Sequence, residues 1–259
     1  MSRYEGRVVL VTGGGSGLGR AVALEAAAEG ATVVAADLSE AGLAETAAAA
    51  TSGTIHTVVG DVSSRDGAIA IVEAAVAAGG GLDVLVNVAG VLRNGYFTEL
   101  TEADVDLVLG VNLVGTLWMC QAAVPHLLAR AAQDGPDAPP RDVNICNIAS
   151  NAGLMGQAYT VLYSASKAAV VNFTRALAME YIKTPLRVNA VAPGGIKTPM
   201  SRGTTFPDDV DWDLIRPYMG FRKMSRPEEI AAVVLFVASG AASSMTGSIV
   251  SADSGLTAG

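Results

Sequence analysis

The sequence predicts an α/β fold, a single-domain doubly wound parallel sheet of seven strands with helices on both faces. Three observations carry that prediction. Short β-branched apolar runs alternate along the chain with Ala-rich segments of helical length. The first run ends in a glycine-rich turn that opens a helix, Thr12-Gly13-Gly14-Gly15-Ser16-Gly17-Leu18-Gly19. The second run ends on a carboxylate, Asp37. Strands alternating with helices of this length imply right-handed crossovers, which cover both faces of the sheet and leave ligands the C-terminal ends of the strands.

The totals bound the function. A chain of 259 residues is long enough to form one domain with a large core, spanning 1–259. A net charge of −8 with 17 basic residues spread along the chain argues against nucleic acid or an anionic membrane as partner. Cys120 and Cys146 sit in apolar runs without paired spacing, as suits buried thiols in a reducing compartment. With His56 and His126 as the only histidines, no metal centre is expected. The N-terminus enters a strand directly, so the cytoplasm is the expected location. Residues 107–129 carry no charge and resemble a membrane span in length, yet they include Asn112, Thr116, Gln121, Pro125 and His126. A helix buried between protein surfaces is the expectation there.

In chain order, residues 7–11 form the first strand and 21–29 belong to the helix after the glycine turn. Glycines let the backbone turn sharply and approach a pyrophosphate, whose charge meets amide groups at the helix N-terminus. A phosphate-binding P-loop is excluded, because Arg20-Ala21 rather than Lys-Ser/Thr follow Gly19. The spacing is Gly13-x-x-x-Gly17-x-Gly19, not the commoner G-x-G-x-x-G. Residues 32–36 form the second strand, and Asp37 follows Gly19 by 18 positions, near the offset at which an acidic residue accepts ribose hydroxyl hydrogen bonds. A 2′-phosphate would be repelled by that carboxylate, and neither Leu38 nor Ser16 offers a cation, so NAD is favoured over NADP. The alternative role for Asp37 is a helix cap before Ser39.

Residues 55–60 read as a third strand leading into Asp61-Val62, followed by a helix through residue 78 and a fourth strand, 83–87, that leads into Asn87-Val88-Ala89-Gly90. The long apolar helix carries Asn112 at its start, and residues 131–142 read as a polar, proline-rich surface loop. Residues 143–149 form the fifth strand, with Ser150 at its end, 13 positions ahead of Tyr163. From Tyr163 the apolar residues Ala168, Val170, Val171, Phe173, Leu177 and Tyr181 recur at helical spacing, which puts Tyr163 and Lys167 on one face. Residues 187–191 form a sixth strand that delivers Pro193-Gly194-Gly195-Ile196-Lys197-Thr198 to the same edge. Residues 200–224 lack a clean period, 226–237 form the last helix and 248–252 a seventh strand.

Taken together, Thr12-Gly13-x-x-x-Gly17-x-Gly19, Asn87-x-Ala89-Gly90, Asn112, Ser150, Tyr163-x-x-x-Lys167 and Pro193-Gly194 resemble the classical short-chain dehydrogenase/reductase family, in that family's order and over essentially the whole chain. One departure is Val88, where the family more often has a second Asn. The resemblance implies a Rossmann-like fold, a substrate-covering segment at about 198–225, and a homo-oligomer, tetramer or dimer. It implies Asn112, Ser150, Tyr163 and Lys167 as catalytic residues. Tyr163 would be the acid/base, its pKa lowered by Lys167 and the cofactor's positive ring; Ser150 would hydrogen-bond the substrate oxygen, and Asn112 would hold a water in the proton relay. It implies cofactor contacts at Gly13, Ser16, Gly17, Leu18 and Gly19, at Asp37, Asp61 and Val62, at Asn87, Ala89 and Gly90, at Tyr163 and Lys167, and at Pro193, Gly194, Ile196 and Thr198.

The activity expected is NAD-dependent interconversion of a secondary alcohol and a ketone, on a compact apolar substrate, cyclic, alicyclic or steroid-like. Leu154, Met155, Met200, Phe206, Trp212 and Met219 are the candidates to line its pocket. Two rivals remain: a 3-oxoacyl-[acyl-carrier-protein] reductase, disfavoured by Asp37 and by the acidic Asp208, Asp209, Asp211 and Asp213, and a non-catalytic dinucleotide-binding protein.

Overall fold

The computed structural model describes residues 2–133, 135, 141–203 and 206–258. Its seven strands form one sheet in the order β3-β2-β1-β4-β5-β6-β7. They are β1 (Val8–Thr12), β2 (Thr32–Asp37), β3 (Thr54–Val59), β4 (Val84–Asn87), β5 (Val143–Ile148), β6 (Leu186–Pro193) and β7 (Ile249–Ala252), and every pairing is parallel. The helices between them are α1 (Gly17–Ala28), α2 (Glu40–Ala48), α3 (Arg65–Gly79), α4 (Glu102–Leu109), α5 (Thr116–Ala131), α6 (Val161–Glu180), α7 (Pro199–Arg202), α8 (Trp212–Met219) and α9 (Pro227–Val237).

The central strands are apolar on both sides because both sides are covered. Val9, Val11, Val33 and Ala35 face a core shared with α1 and α9, whereas Val8, Leu10, Val34 and Ala36 face a second core shared with α3 and α5. Period-two alternation therefore distributes one continuous apolar run between two layers. The chain winds outward from β1 in both directions, so the crevice between the ends of β1 and β4 is where a ligand can enter. The Thr12 hydroxyl pins that crevice: it accepts hydrogen bonds from the backbone N–H groups of Val88 and Ala89 at 3.0 and 3.1 Å.

Helix α2 adds an element between the second and third strands, capped by the Ser39 hydroxyl on the N–H of Gly42. The apolar stretch also differs from a plain helix. Glu102–Ala131 is one helical run, long and apolar enough to cross a membrane, but it packs against α3, β4 and β5 and widens into a π-helical turn at Gly110–Gly115. Both cysteines are buried, and burial pushes their thiols up to about 12. Of the predicted loop 131–142, residues 134 and 136–140 lie outside the described residues.

At the opposite end of the sheet, the fully buried Asp83 accepts from the N–H of Val8 at 2.9 Å and pairs with Arg7, Arg130 and Arg141. Three cations on one buried carboxylate keep its charge compensated, and they tie β1, α5 and the approach to β5 together.

Candidate functional site

A cleft of about 590 Å³ runs along the C-terminal ends of the strands. At its floor, Gly13 and Ser16–Gly19 turn from β1 into α1. Gly17 takes a left-handed φ of 52°, and a β-carbon on Gly19 would lie 2.0 Å from the carbonyl oxygen of Gly13. The glycine at 19 is thus required by the loop's packing on itself. The Ser16 side chain does not cap α1, and no acidic residue stands in the first turn. The first turn of a 12-residue helix thus borders the cleft with neither a side-chain cap nor an acidic residue of its own, which leaves its amides for a diphosphate group.

Asp37 closes this end. Its Oδ2 accepts from the N–H of Gly15 and its Oδ1 from the N–H of Ser39, both at 2.9 Å. Asp37 lines the cleft and closes the turn into Ser39, whereas the cap of α2 is made by Ser39 itself. Arg20, which the sequence left unassigned, stands behind the loop. It donates to Thr46 Oγ1, to the carbonyls of Gly15 and Gly42, and to Glu45.

Asp61, Val62, Ala89, Gly90, Pro193, Gly194, Ile196 and Thr198 continue the wall toward Ser150, Tyr163 and Lys167, which line the other end. Ser150 is 7% exposed at the end of β5, where its hydroxyl accepts from the N–H of Ala152 at 3.2 Å and donates to Asn151 Oδ1 at 3.1 Å. Lys167 is 4% exposed; its Nζ donates to the carbonyl of Ile148 at 2.8 Å, and burial lowers its pKa to about 8.

At Tyr163, burial raises the phenol above its usual value and the nearby Ser150 hydroxyl works against that rise. Lys167, expected to lower it together with the cofactor's positive ring, is itself desolvated and directed at a main-chain carbonyl.

Two of the residues named as catalytic or cofactor contacts lie outside the cleft lining. Asn87, expected at the cofactor, is turned into the sheet–helix interface, where its Nδ2 donates to Asn147 Oδ1 at 2.9 Å and to Cys120 Sγ at 3.4 Å. Its amide is used to join β4 to β5. Asn112, fully buried in the π-helical turn, accepts from the N–H of Val91 at 2.8 Å and donates to the Val91 carbonyl at 2.9 Å and to Ser166 Oγ at 3.0 Å. That bidentate grip fixes the loop after Gly90. The flanking Gly110 and Gly115 were the sequence signal for an irregular turn, since Gly115 lets the helix approach Val62.

The apolar end is lined by Val91, Leu92, Leu107, Val111, Met200 and Met224. Of the six side chains named for it from the sequence, Met200 alone is among the lining residues described; Leu154, Trp212 and Met219 are 37%, 50% and 65% exposed. From residues 198–225 the cleft is lined by Thr198, Met200, Ser201 and Met224, and by none of the described aromatic residues.

Residues 7–207 match the short chain dehydrogenase family. A 3-oxoacyl-[acyl-carrier-protein] reductase of Thermotoga maritima is 38% identical over 257 residues, 98% of this chain and 99% of its own. The cis-4-hydroxycyclohexanecarboxylate dehydrogenase of Sinomonas cyclohexanicum is 38% identical over 257 residues, 97% of each chain. Among solved structures, levodione reductase superposes with a TM-score of 0.85 at 34% identity over 98% of this chain and 99% of its own. The 3-ketoacyl-(acyl-carrier-protein) reductase of Brucella melitensis in complex with NADH gives a TM-score of 0.86 at 29% identity, again over 98% and 99%. Fold, glycine turn and cleft agree with these likenesses, and the chain belongs to the short-chain dehydrogenase family, oxidoreductases that work with a nicotinamide dinucleotide.

Proposed function

We propose that this protein is an NAD-dependent oxidoreductase that interconverts a secondary alcohol and a ketone on a compact, uncharged, apolar substrate. The observation that carries the reading is the charge distribution of the cleft: among its lining residues the charged side chains are Asp37, Asp61 and Lys167. Asp37 would stand where a ribose hydroxyl is recognised, and Arg20, the cation that follows the glycine loop, has its Nε and Nη2 engaged by Thr46, by the Gly15 and Gly42 carbonyls and by Glu45. A 2′-phosphate would meet an anion with no cation to receive it.

When bound, the nicotinamide would accept or supply the hydride. Tyr163 would take the alcohol proton as the ketone forms and return it in the reverse direction. Ser150 would donate a hydrogen bond to the substrate oxygen as negative charge develops. Lys167, held on the Ile148 carbonyl, would hold ribose hydroxyls and stabilise the phenolate through space. Asn112 would act by fixing the loop from Gly90 to Val91, with a relay water as a second role. Gly13, Ser16 to Gly19, Asp61, Val62, Ala89, Gly90, Pro193, Gly194, Ile196 and Thr198 would hold the dinucleotide along the cleft.

An acyl-carrier-protein reductase is the second reading, favoured by the names of two relatives. The exposed carboxylates of Asp208, Asp209, Asp211 and Asp213 beside the cleft oppose an acidic carrier. A screen of secondary alcohols and cyclic ketones with NAD(H) and NADP(H), read by cofactor absorbance, tests the proposal. Turnover confined to NADP(H), or to acyl thioesters, would overturn it.

A further inference from the structure

Tyr159 is one of two non-glycine residues with a left-handed backbone among those described, at φ 62°. A β-carbon makes that conformation costly, and bulky side chains rarely adopt it. It lies four positions before Tyr163, immediately ahead of the residue that begins the turn into α6. Three contacts hold it there. Its ring packs edge-on against Tyr96, with centroids 5.4 Å apart and planes at 76°. Its carbonyl accepts from the N–H of Gly95. Its hydroxyl accepts from the N–H of Asp211 at 3.0 Å.

Asp211 is the N-cap of α8, and its own carboxylate caps the N–H of Asp213. The next residue, Trp212, packs edge-on against Phe206 at 5.8 Å. Val210 and Ile215 are the buried residues of this stretch. One tyrosine therefore touches three pieces: the loop after β4, the turn that starts the helix of Tyr163, and the first turn of α8. On the Tyr96 side, desolvation and then a hydrogen bond to the Asp209 carboxylate push the Tyr96 phenol up to about 12.

We propose that Tyr159 is a positioning residue that latches the covering segment over the apolar end of the cleft and couples its closure to the turn carrying Tyr163. The inference rests on the reading of Tyr163 as the acid/base and of residues 198–225 as the substrate cover. The unfavourable backbone at Tyr159 is retained because it brings the ring onto Tyr96 and the hydroxyl onto the backbone of α8.

Tyr159→Phe keeps the ring and removes the acceptor. With cyclohexanol and NAD as probes, the expected result is a rise in KM for the alcohol of about fivefold or more, kcat changed less than twofold, and an unchanged KM for NAD. A second readout needs no turnover. In a Trp118→Phe background Trp212 is the sole tryptophan, and acrylamide quenching of its emission should rise in Tyr159→Phe and rise further in Tyr159→Ala. Unchanged quenching overturns the latch, as does a fall in kcat at constant KM. If wild-type protein binds NADH and turns over no alcohol, the reading of Tyr163 fails, and the quenching experiment still decides whether Tyr159 holds the segment.

Discussion

The Lys167 ammonium donates a 2.8 Å hydrogen bond to the carbonyl of Ile148, and its nitrogen stands 5.8 Å from the centre of the Tyr163 ring. The lysine is tethered to the end of β5 and reaches the phenol through space. On the proposed reading Tyr163 carries the proton and its hydroxyl needs charge stabilisation from its surroundings, while Lys167 is a buried amine whose pKa is lowered to about 8.

Tyr163→Phe tests the proton transfer. Removing one oxygen leaves the ring packing and the dinucleotide cleft in place, so turnover should fall by about three orders of magnitude while NADH binding changes less than about twofold. Stopped-flow absorbance and NADH fluorescence titration measure the two separately. Near-normal turnover would remove Tyr163 from the chemistry.

Lys167 makes stability depend on alkaline pH. Its folded pKa of about 8 lies below the model-compound value of 10.5. Below pH 8 it is charged in both states and the full desolvation penalty applies. Between pH 8 and 10.5 the unfolded chain holds the proton more tightly than the folded one, so this group adds stability as pH rises, up to about 3 kcal/mol. Lys167→Met should be the more stable protein at pH 7 and should lose that upward slope in urea unfolding. Parallel pH profiles for the two proteins would contradict the assignment.

Asp37→Ala removes the carboxylate that joins Gly15 to Ser39. NAD affinity should fall about tenfold, the scale of one charge-assisted hydrogen bond, with a relative gain for NADP once the anion is gone. Calorimetric titration with each dinucleotide measures the ratio. An unchanged preference would leave Asp37 as a turn cap alone.

Gly19→Ala places a methyl group 2.0 Å from the Gly13 carbonyl oxygen. The loop must open to admit it, costing about 1–3 kcal/mol, or a melting temperature lower by about 2–12 °C, and NADH binding should be lost with it. A variant that melts and binds like the parent would show that the loop has slack.

Asn112→Ala cuts three hydrogen bonds, two of them to the backbone of Val91. The loop at Gly90 and Val91 borders the cleft, so stability should fall by about 1–3 kcal/mol and kcat/KM with it. If the water relay is the main role, kcat should fall at unchanged melting temperature; thermal melts paired with kinetics separate the two.

Much of this was legible because α/β proteins write their topology into local patterns. The β-branched runs, the glycine turn, the carboxylate at Asp37 and the Tyr163/Lys167 spacing each follow from backbone geometry within a few residues, and the structure places them along one cleft. The bond from the Asn87 amide nitrogen to Asn147, 60 residues away, was not legible, because no local pattern reports such a partner. The aromatic residues of the covering segment were assigned to the pocket from their chemistry, but which face of α8 turns inward depends on what it packs against.

The amino-acid sequence alone determined the layer architecture, the parallel sense of the sheet, and the identity of most of the side chains that meet at the strand ends, because hydrophobic period, glycine conformation and helical spacing are local properties. Only the tertiary structure decided that Lys167 rests on Ile148, that Arg20 is tied to the Gly15 carbonyl of the glycine loop, and that Tyr159 reaches the backbone of Asp211. Each of these depends on which distant group supplies the nearest hydrogen-bond partner once water is excluded, a choice made by the packed chain as a whole.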